Sequence, residues 1–161
     1  MNEIEALYRQ HAPAILRFAW RLCGDRSTAE DIVSETFVRL LTRPVHVRTR
    51  TALAYLLVIA RNTYINRQRR EHREVPLIAE PPGPDADPVE RMDGEARLDA
   101  TMRVLRTLPE GERAALLLRV DHDLPYDEIA ASLDISVAAA KVRVHRARLH
   151  LAAALQQKET K

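Results

Sequence analysis

A proline-rich segment in the middle of the chain constrains its fold more than any other feature. Residues 75–87 read VPLIAEPPGPDAD, with four prolines, one glycine and neither helical nor strand periodicity. Such a stretch predicts an extended connector with little structure of its own. The sequence therefore predicts two domains, over residues 1–74 and 88–161, joined by a linker over residues 75–87.

The composition favours helical domains in a soluble protein. Of the 161 residues 46% are hydrophobic but only 4% are aromatic, so the cores must be built mainly from Leu, Ala, Val and Ile. No apolar run approaches the roughly 18 to 20 residues that span a bilayer, and the N-terminus is polar from the start. The lone Cys23 permits no intramolecular disulfide and no zinc-ligand set. We expect a cytoplasmic protein without membrane insertion, metal or cofactor.

The first part is predicted to be a bundle of three or four helices. One amphipathic helix covers residues 4–23 with an interruption at Pro13, and a capping box of Ser27 and Glu30 opens a second helix to about Leu41. A third runs over residues 51–73 and ends in a basic cluster. The predicted inward side chains of the first helix are Leu7, Ile15, Leu16, Ala19 and Leu22.

The second part ends in a predicted helix-turn-helix over residues 124–155, packed on two helices over residues 89–108 and 109–120. Pro125 suits a first helical position, and Ser136 is placed to cap the second helix after a short break. Asp134 stands in that break and tolerates a left-handed backbone better than most residues. Two short helices would therefore meet at an angle.

The second of these helices is cationic on one side. It contains Lys141, Arg143, Arg146 and Arg148, with no acidic residue from Val137 to Leu155. A solvated helix usually mixes both signs to gain ion pairs one turn apart, whereas this charge distribution suits a groove lined by phosphates. The alternative is an amphipathic hairpin with a solvated basic face.

These segments, taken in order, resemble one protein family. The strings are AEDIVSETFVRLL at 29–41, AYLLVIARNTYINRQRR at 54–70, LRTLPEGERAALLLR at 105–119, and then YDEIAASLDIS and AAAKVRVHRAR. The chain resembles the extracytoplasmic-function (ECF) sigma factors of bacterial RNA polymerase over nearly its whole length. The resemblance implies an all-α fold with a sigma region 2 bundle and a sigma region 4 helix-turn-helix.

The resemblance also implies a function. Such a subunit joins core RNA polymerase, directs it to the minus-thirty-five and minus-ten promoter elements and promotes DNA opening. It is not an enzyme, and the sequence contains no glycine-rich phosphate loop and no nucleophile beside a base. Family members are usually held inactive by an anti-sigma factor, which is implied as a further partner.

Site residues follow from the motifs that match. The core-polymerase-binding positions are Asp31, Glu35, Phe37 and Arg39. The segment over residues 54–70 resembles the family's promoter-melting helix, which we call the melting helix. The minus-ten DNA positions lie in the loop over residues 42–50 and in this helix, and they are His46, Arg48, Arg50, Tyr55, Arg61, Asn62, Arg67, Arg69 and Arg70. Tyr55 stands where the family commonly has tryptophan and would either stack on an opened strand or anchor the helix in the core.

The minus-thirty-five positions lie on the cationic helix, and they are Lys141, Val142, Arg143, His145, Arg146 and Arg148. Val142 stands where serine is common in the family and Ala139 where threonine is common. Fewer hydrogen-bonding groups would shift readout toward thymine methyl groups and DNA shape.

Two other functions compete with the sigma factor. One is a free-standing helix-turn-helix regulator that binds an operator, and the other is a helical adaptor that binds only protein. The segments at 29–41 and 54–70 favour the sigma factor over the regulator and the adaptor. Neither of these two needs both segments in addition to the cationic helix that begins at Val137.

Overall fold

The computed structural model describes residues 2–42, 49–74 and 93–159, and within these ranges the chain is almost entirely helical and has no strand. The helices are α1 (Glu3–Cys23), α2 (Arg26–Thr42), α3 (Ala52–Glu74), α4 (Asp93–Thr107), α5 (Glu110–Val120), α6 (Tyr126–Leu133) and α7 (Val137–Glu159). The prediction of an all-α protein is confirmed. The connector over 75–87 and the domain start at 88 lie outside the described residues, so both boundaries stay predictions.

Helix α1 is continuous, although Pro13 lies inside it. The sequence predicted an interruption there, and that prediction is wrong. Proline inside a helix removes one hydrogen bond and costs about 3 kcal/mol. The apolar face of α1 offsets this cost, because Ile15, Phe18 and Leu22 are completely buried in the core.

Gly24 ends α1 in the left-handed conformation, with φ of 81°, and its N–H donates to the Trp20 carbonyl at 2.7 Å. A Cβ at this position would stand 2.5 Å from Cδ of Arg106, which α4 contributes. We therefore expect Gly24→Ala to lower the free energy of unfolding by about 1–2 kcal/mol, measured by urea titration.

Gly111→Ala is the matched control for that substitution. Gly111 lies in α5 without a positive φ, and a Cβ there would meet the flexible end of the Arg143 side chain, 2.7 Å from Nη1. Alanine also has the higher helix propensity, so we expect little net change. Equal losses in the two variants would contradict the explanation from backbone conformation.

Helix α2 begins after Asp25, whose Oδ2 accepts hydrogen bonds from Thr28 Oγ1 at 2.6 Å and from Thr28 N at 3.0 Å. These bonds hold the pKa of Asp25 below its ordinary value. The predicted capping box of Ser27 and Glu30 is wrong, since Glu30 pairs instead with Arg26 at 3.3 Å. Asp25 supplies the same kind of cap two residues earlier.

Helices α1, α2 and α3 pack together as a bundle, in agreement with the prediction for the first part. Two buried threonines are accommodated within it because each hydroxyl donates to a carbonyl one turn earlier. Thr36 donates to Ile32 at 2.6 Å and Thr63 to Ile59 at 2.8 Å. Burial of a polar group therefore leaves no donor unpaired at either position.

Helices α6 and α7 meet at the predicted turn. Asp134 adopts the left-handed conformation with φ of 55°, and its N–H donates to the Ala130 carbonyl. Ser136 Oγ accepts a hydrogen bond from Ala139 N at 3.0 Å and so caps α7. Both local predictions for this turn are confirmed, and α5 packs against α6 and α7.

The helices before and after the connector also contact each other. Helix α1 packs against α4 and α5, and α3 packs against α6. Residues 56–60 of α3 are all buried, and because five successive residues exceed one helical turn, this part of α3 is covered on every side. We refer to this packing of α1–α3 against α4–α7 as the closed arrangement.

A buried arginine fastens the two parts together. Arg113 of α5 is only 8% exposed, and its guanidinium donates to the carbonyls of Leu22 and, at 3.2 Å, Leu108. A cation suits the C-terminal end of α1, where unpaired carbonyls carry partial negative charge. An ion pair between Arg21 and Asp121 joins the same region.

Candidate nucleic-acid interface

The N-terminal half of α7 has one buried face and one exposed face. Ala140, Val144 and Ala147 are completely buried. The exposed face contains five of the six positions that the sequence singled out on this helix, and they are Lys141, Val142, His145, Arg146 and Arg148. Helix α7 thus presents a cationic surface to solvent, with Val142 as an apolar member.

Arg143 is the exception on this helix. It is half-buried, and its guanidinium lies against Gly111 at the start of α5. The arginine therefore contacts the supporting helix in this structure. Its predicted contact with phosphates would therefore require the side chain to leave α5.

The Tyr126 ring of α6 contacts cations of both neighbouring helices, α5 and α7. The Arg119 guanidinium carbon lies 4.7 Å from the centroid of its ring, and Lys141 Nζ lies 5.8 Å from it. Cations at this range are attracted by the ring face. Lys141 is thus exposed but partly oriented by the Tyr126 ring. The sequence did not predict this contact.

The acidic side chains of α2 are already paired within the structure. Glu35 Oε1 lies 3.1 Å from Arg39 Nη2 and 3.7 Å from Arg70 Nη2. Asp31 Oδ2 lies 3.7 Å from Arg67 Nη2. Arginines of α3 therefore relieve the repulsion between these two carboxylates, which lie one turn apart.

Phe37 belongs to the core in this structure. It is 6% exposed, and its ring meets the Tyr8 ring edge-on with centroids 4.9 Å apart. The exposed apolar side chains of α2 are Val38 and Leu41 instead. Helical spacing could have identified them, because both lie on the face opposite the buried Ile32 and Val33.

A basic cleft opens between the C-terminal ends of α2 and α3. It has a volume of about 640 Å³ and is lined by Glu35, Val38, Arg39, Thr42, Asn66, Arg69, Arg70 and Arg73. Four guanidinium groups against one carboxylate make this cleft a place where anionic groups are attracted. The cleft brings Arg69 and Arg70 next to Arg39, which the sequence analysis had assigned to a different partner.

The remaining positions that the sequence predicts for minus-ten DNA differ in accessibility. Tyr55 and Asn62 are half-buried on α3. Arg61 and Arg50 are engaged by carboxylates of the helices after the connector, Arg61 by Glu110 and Arg50 by Asp127 and Glu128. His46 and Arg48 lie outside the described residues.

No group of three or more His, Cys, Asp or Glu side chains among the residues that the structure describes could hold a metal ion. Cys23 is half-buried and donates its thiol hydrogen to the Asp25 carbonyl at 3.2 Å. Burial raises the pKa of this thiol. Within the same residues, every helix is too short or too polar to cross a membrane.

His122 lies between α5 and α6, and its ring meets the buried Phe18 of α1 edge-on with centroids 5.8 Å apart. Burial lowers the pKa of His122 from its ordinary 6.5 to about 4, and Arg17 and Arg21 act in the same direction, against Asp121. Because the folded pKa is depressed, this contribution to stability is present above pH 6.5 and is lost as pH falls toward 4.

We expect the free energy of unfolding to fall by about 1–2 kcal/mol between about pH 7 and pH 5 because of His122, after allowance for its partial exposure. Urea unfolding of wild type and His122→Phe at both pH values isolates this effect, because all other groups are shared. The variant should be less sensitive to pH. The control is His72→Gln, which replaces an exposed histidine. If it reduced the pH dependence of the unfolding free energy equally, the assignment to His122 would be wrong.

Comparisons with known proteins agree with this geometry. The family model of Sigma-70 region 2 matches residues 7–74, and the family model of Sigma-70, region 4 matches residues 98–151. The chain is 33% identical over 158 residues to the ECF RNA polymerase sigma factor SigE of Mycolicibacterium smegmatis, covering 94% of this chain. The chain spans 61% of the length of SigE.

Two further similarities cover nearly full lengths. The chain is 30% identical over 156 residues to the RNA polymerase sigma factor YlaC of Bacillus subtilis, covering 93% of this chain and 90% of YlaC. Its fold is similar to that of the sigma factor RpoE, solved with the anti-sigma factor NepR from Bartonella quintana. That match has a TM-score of 0.75 and 23% identity, and covers 97% of this chain and 98% of RpoE.

The fold and the exposed cationic helix define a helix-turn-helix protein with an additional helical bundle at its N-terminal side. The sequence matches assign both parts at once. The chain belongs to the ECF sigma factors of bacterial RNA polymerase.

Proposed function

We propose that this chain joins core RNA polymerase as its sigma subunit, directs it to specific promoters and promotes DNA opening. The observation that carries the proposal is the exposed cationic face of α7 in a chain that matches region 2 and region 4 in order. A free-standing operator-binding regulator is not favoured, because it would have no use for a region 2 bundle. The subunit acts by binding, without catalysis of its own, in the cytoplasm where the polymerase works.

Residues 88–161 would read the minus-thirty-five element with the exposed face of α7. Lys141 and Arg146 are long cations that reach guanine edges, and Val142 offers an apolar contact for a thymine methyl group. Arg148 is exposed further along the helix and suits a phosphate. Arg143 has the weakest case for DNA contact, because its guanidinium lies against α5.

Residues 1–74 would bind core polymerase and the minus-ten region. The basic cleft supports this role, since its Arg69, Arg70 and Arg73 suit the phosphates of a separated strand. Asp31, Glu35 and Arg39 lie at or beside this cleft and are proposed to contact the polymerase. Phe37 would serve that contact indirectly by fixing α2 against Tyr8.

An anti-sigma factor is proposed as the regulatory partner. Support comes from RpoE, the structural neighbour that was solved with its anti-sigma factor NepR. A binding assay with the products of genes neighbouring this one would test it. Failure of every candidate to form a stoichiometric complex would count against this partner.

Run-off transcription with purified core polymerase on fragmented genomic DNA tests the main proposal. We expect new transcript starts that depend on this protein and share two spaced upstream motifs. Arg9→Ala, which removes an exposed cation of α1 away from the proposed contacts, is the control and should support the same starts. No new starts and no co-elution with core polymerase would leave the free-standing regulator as the better explanation.

A further inference from the structure

Two of the cations proposed to contact promoter DNA are occupied by carboxylates of the same chain. Arg61 Nε lies 2.7 Å from Glu110 Oε1, and Arg61 Nη2 lies 2.8 Å from Glu110 Oε2. This bidentate pair joins α3 to the first residue of α5 and is largely withdrawn from solvent, with the Arg61 side chain 15% exposed. An arginine fork binds carboxylate and phosphate with the same geometry, so the two ligands are alternatives for one side chain.

The second contact lies at the other end of the same interface. Glu128 Oε1 accepts a hydrogen bond from the backbone N–H of Arg50 at 2.9 Å, and Arg50 Nη2 lies 3.0 Å from Asp127 Oδ2. Glu128 is 5% exposed, and its other oxygen finds no hydrogen-bond partner among the described residues. Among the described residues, the Glu128 carboxylate therefore depends on Arg50 for its hydrogen bonding.

In the ion pairs across the interface, every cation comes from before the connector and every carboxylate from after it. The bundle contributes Arg21, Arg50 and Arg61, and the helices after the connector contribute carboxylates at 110, 121, 127 and 128. Because α6 also covers the middle of α3, nucleic acid cannot reach this part of the melting helix while the closed arrangement persists.

We propose that Glu110 competes internally with promoter DNA for Arg61, so that the free protein withholds this arginine until its two parts separate. Glu128 and Asp127 help to hold the two parts together through the backbone N–H and the exposed side chain of Arg50. This inference rests on the proposed function for the DNA role of Arg61. If the open form makes up about a tenth of the free molecules, the apparent affinity for DNA is reduced about tenfold. Removal of the Glu110 carboxylate should therefore raise the apparent affinity for DNA by about the same tenfold factor.

The test measures conformation and DNA affinity in the same full-length molecules. Fluorophores are attached to cysteines at two exposed positions, Glu5→Cys in α1 and Ala153→Cys in α7, with Cys23→Ser to leave no other thiol. Energy transfer reports the separation of the two parts. Binding of a mixed-sequence single-stranded oligodeoxynucleotide at fixed low ionic strength reports access to the cations.

Glu110→Gln is expected to lower energy transfer and to raise DNA affinity about tenfold. Arg61→Gln breaks the same pair from the other side, so it should lower energy transfer equally without raising affinity, because the cation itself is lost. Glu30→Gln is the matched control. It removes the same charge from an exposed carboxylate that pairs within α2, and should leave energy transfer unchanged.

Each outcome decides the proposal. Unchanged energy transfer in both Glu110→Gln and the double variant Glu110→Gln/Glu128→Gln would overturn it, as would opening without a gain in affinity over Glu30→Gln. Circular dichroism confirms that the variants are folded. The assay contains no polymerase, so failure of run-off transcription with these results intact would reject the proposed function and leave the internal competition standing.

Discussion

Replacing Lys141 and Arg146 together with alanine is expected to reduce transcription from a cognate promoter about 100-fold or more. Each long cation that reads a base edge contributes about 1–3 kcal/mol of discrimination, and 1.4 kcal/mol corresponds to a factor of ten. Both side chains are exposed on α7, whereas the face behind them is buried against its own domain. The loss should therefore fall on DNA binding and leave the fold intact.

Run-off assays on promoters with intact and scrambled minus-thirty-five motifs measure this effect. The wild type should discriminate strongly between the two templates, and the double variant should use both equally poorly. Arg9→Ala is the control for loss of an exposed cation and should retain the discrimination. If the double variant kept more than half of wild-type transcription, α7 would not be the reader of that element.

Phe18→Ala is expected to have the largest effect on stability, about 3–5 kcal/mol in the free energy of unfolding. Phe18 is completely buried and contacts His122 edge-on, so its ring packs where α1 meets the helices after the connector. A small domain has about 5–15 kcal/mol of stability in total, so this one substitution removes a large share.

Urea unfolding of Phe18→Ala measures the loss, with Tyr8→Ala as the matched control on the same helix. Tyr8 is 49% exposed and forms a T-shaped pair with Phe37, so its truncation should cost no more than about 1.5 kcal/mol. Equal losses in the two variants would mean that the interface around Phe18 contributes no more than the exposed end of α1.

The turn of the helix-turn-helix was predicted well from the sequence, whereas the capping box at Ser27 and Glu30 was not. The turn between α6 and α7 depends on Asp134 tolerating a left-handed backbone and on the hydroxyl of Ser136, and both act within a few residues of themselves. The exposed face of α7 also follows from residue spacing alone. The interruption at Pro13 failed as a prediction because the burial that offsets its cost comes from other helices.

The candidate site was predicted less completely. Arg61 and Arg50 were identified as cations, but their partners are distant in sequence. Glu110 lies 49 positions after Arg61, and Glu128 lies 78 positions after Arg50. Arg39 and Arg70 were assigned to separate sites, although both line one cleft. Phe18 was missed although helical spacing could have identified it, because it lies three residues after Ile15 and four before Leu22 on the same face of α1.

The sequence by itself determined the helices, the position of the helix-turn-helix and the family, because backbone propensities, caps and motif strings are local properties of the chain. Only the tertiary structure decided which cations are free and which are paired, where the basic cleft lies, and that Phe18 and His122 meet. Those outcomes depend on contacts between residues far apart in the chain. Such contacts arise from packing and charge complementarity in three dimensions, which periodicity along one helix does not contain.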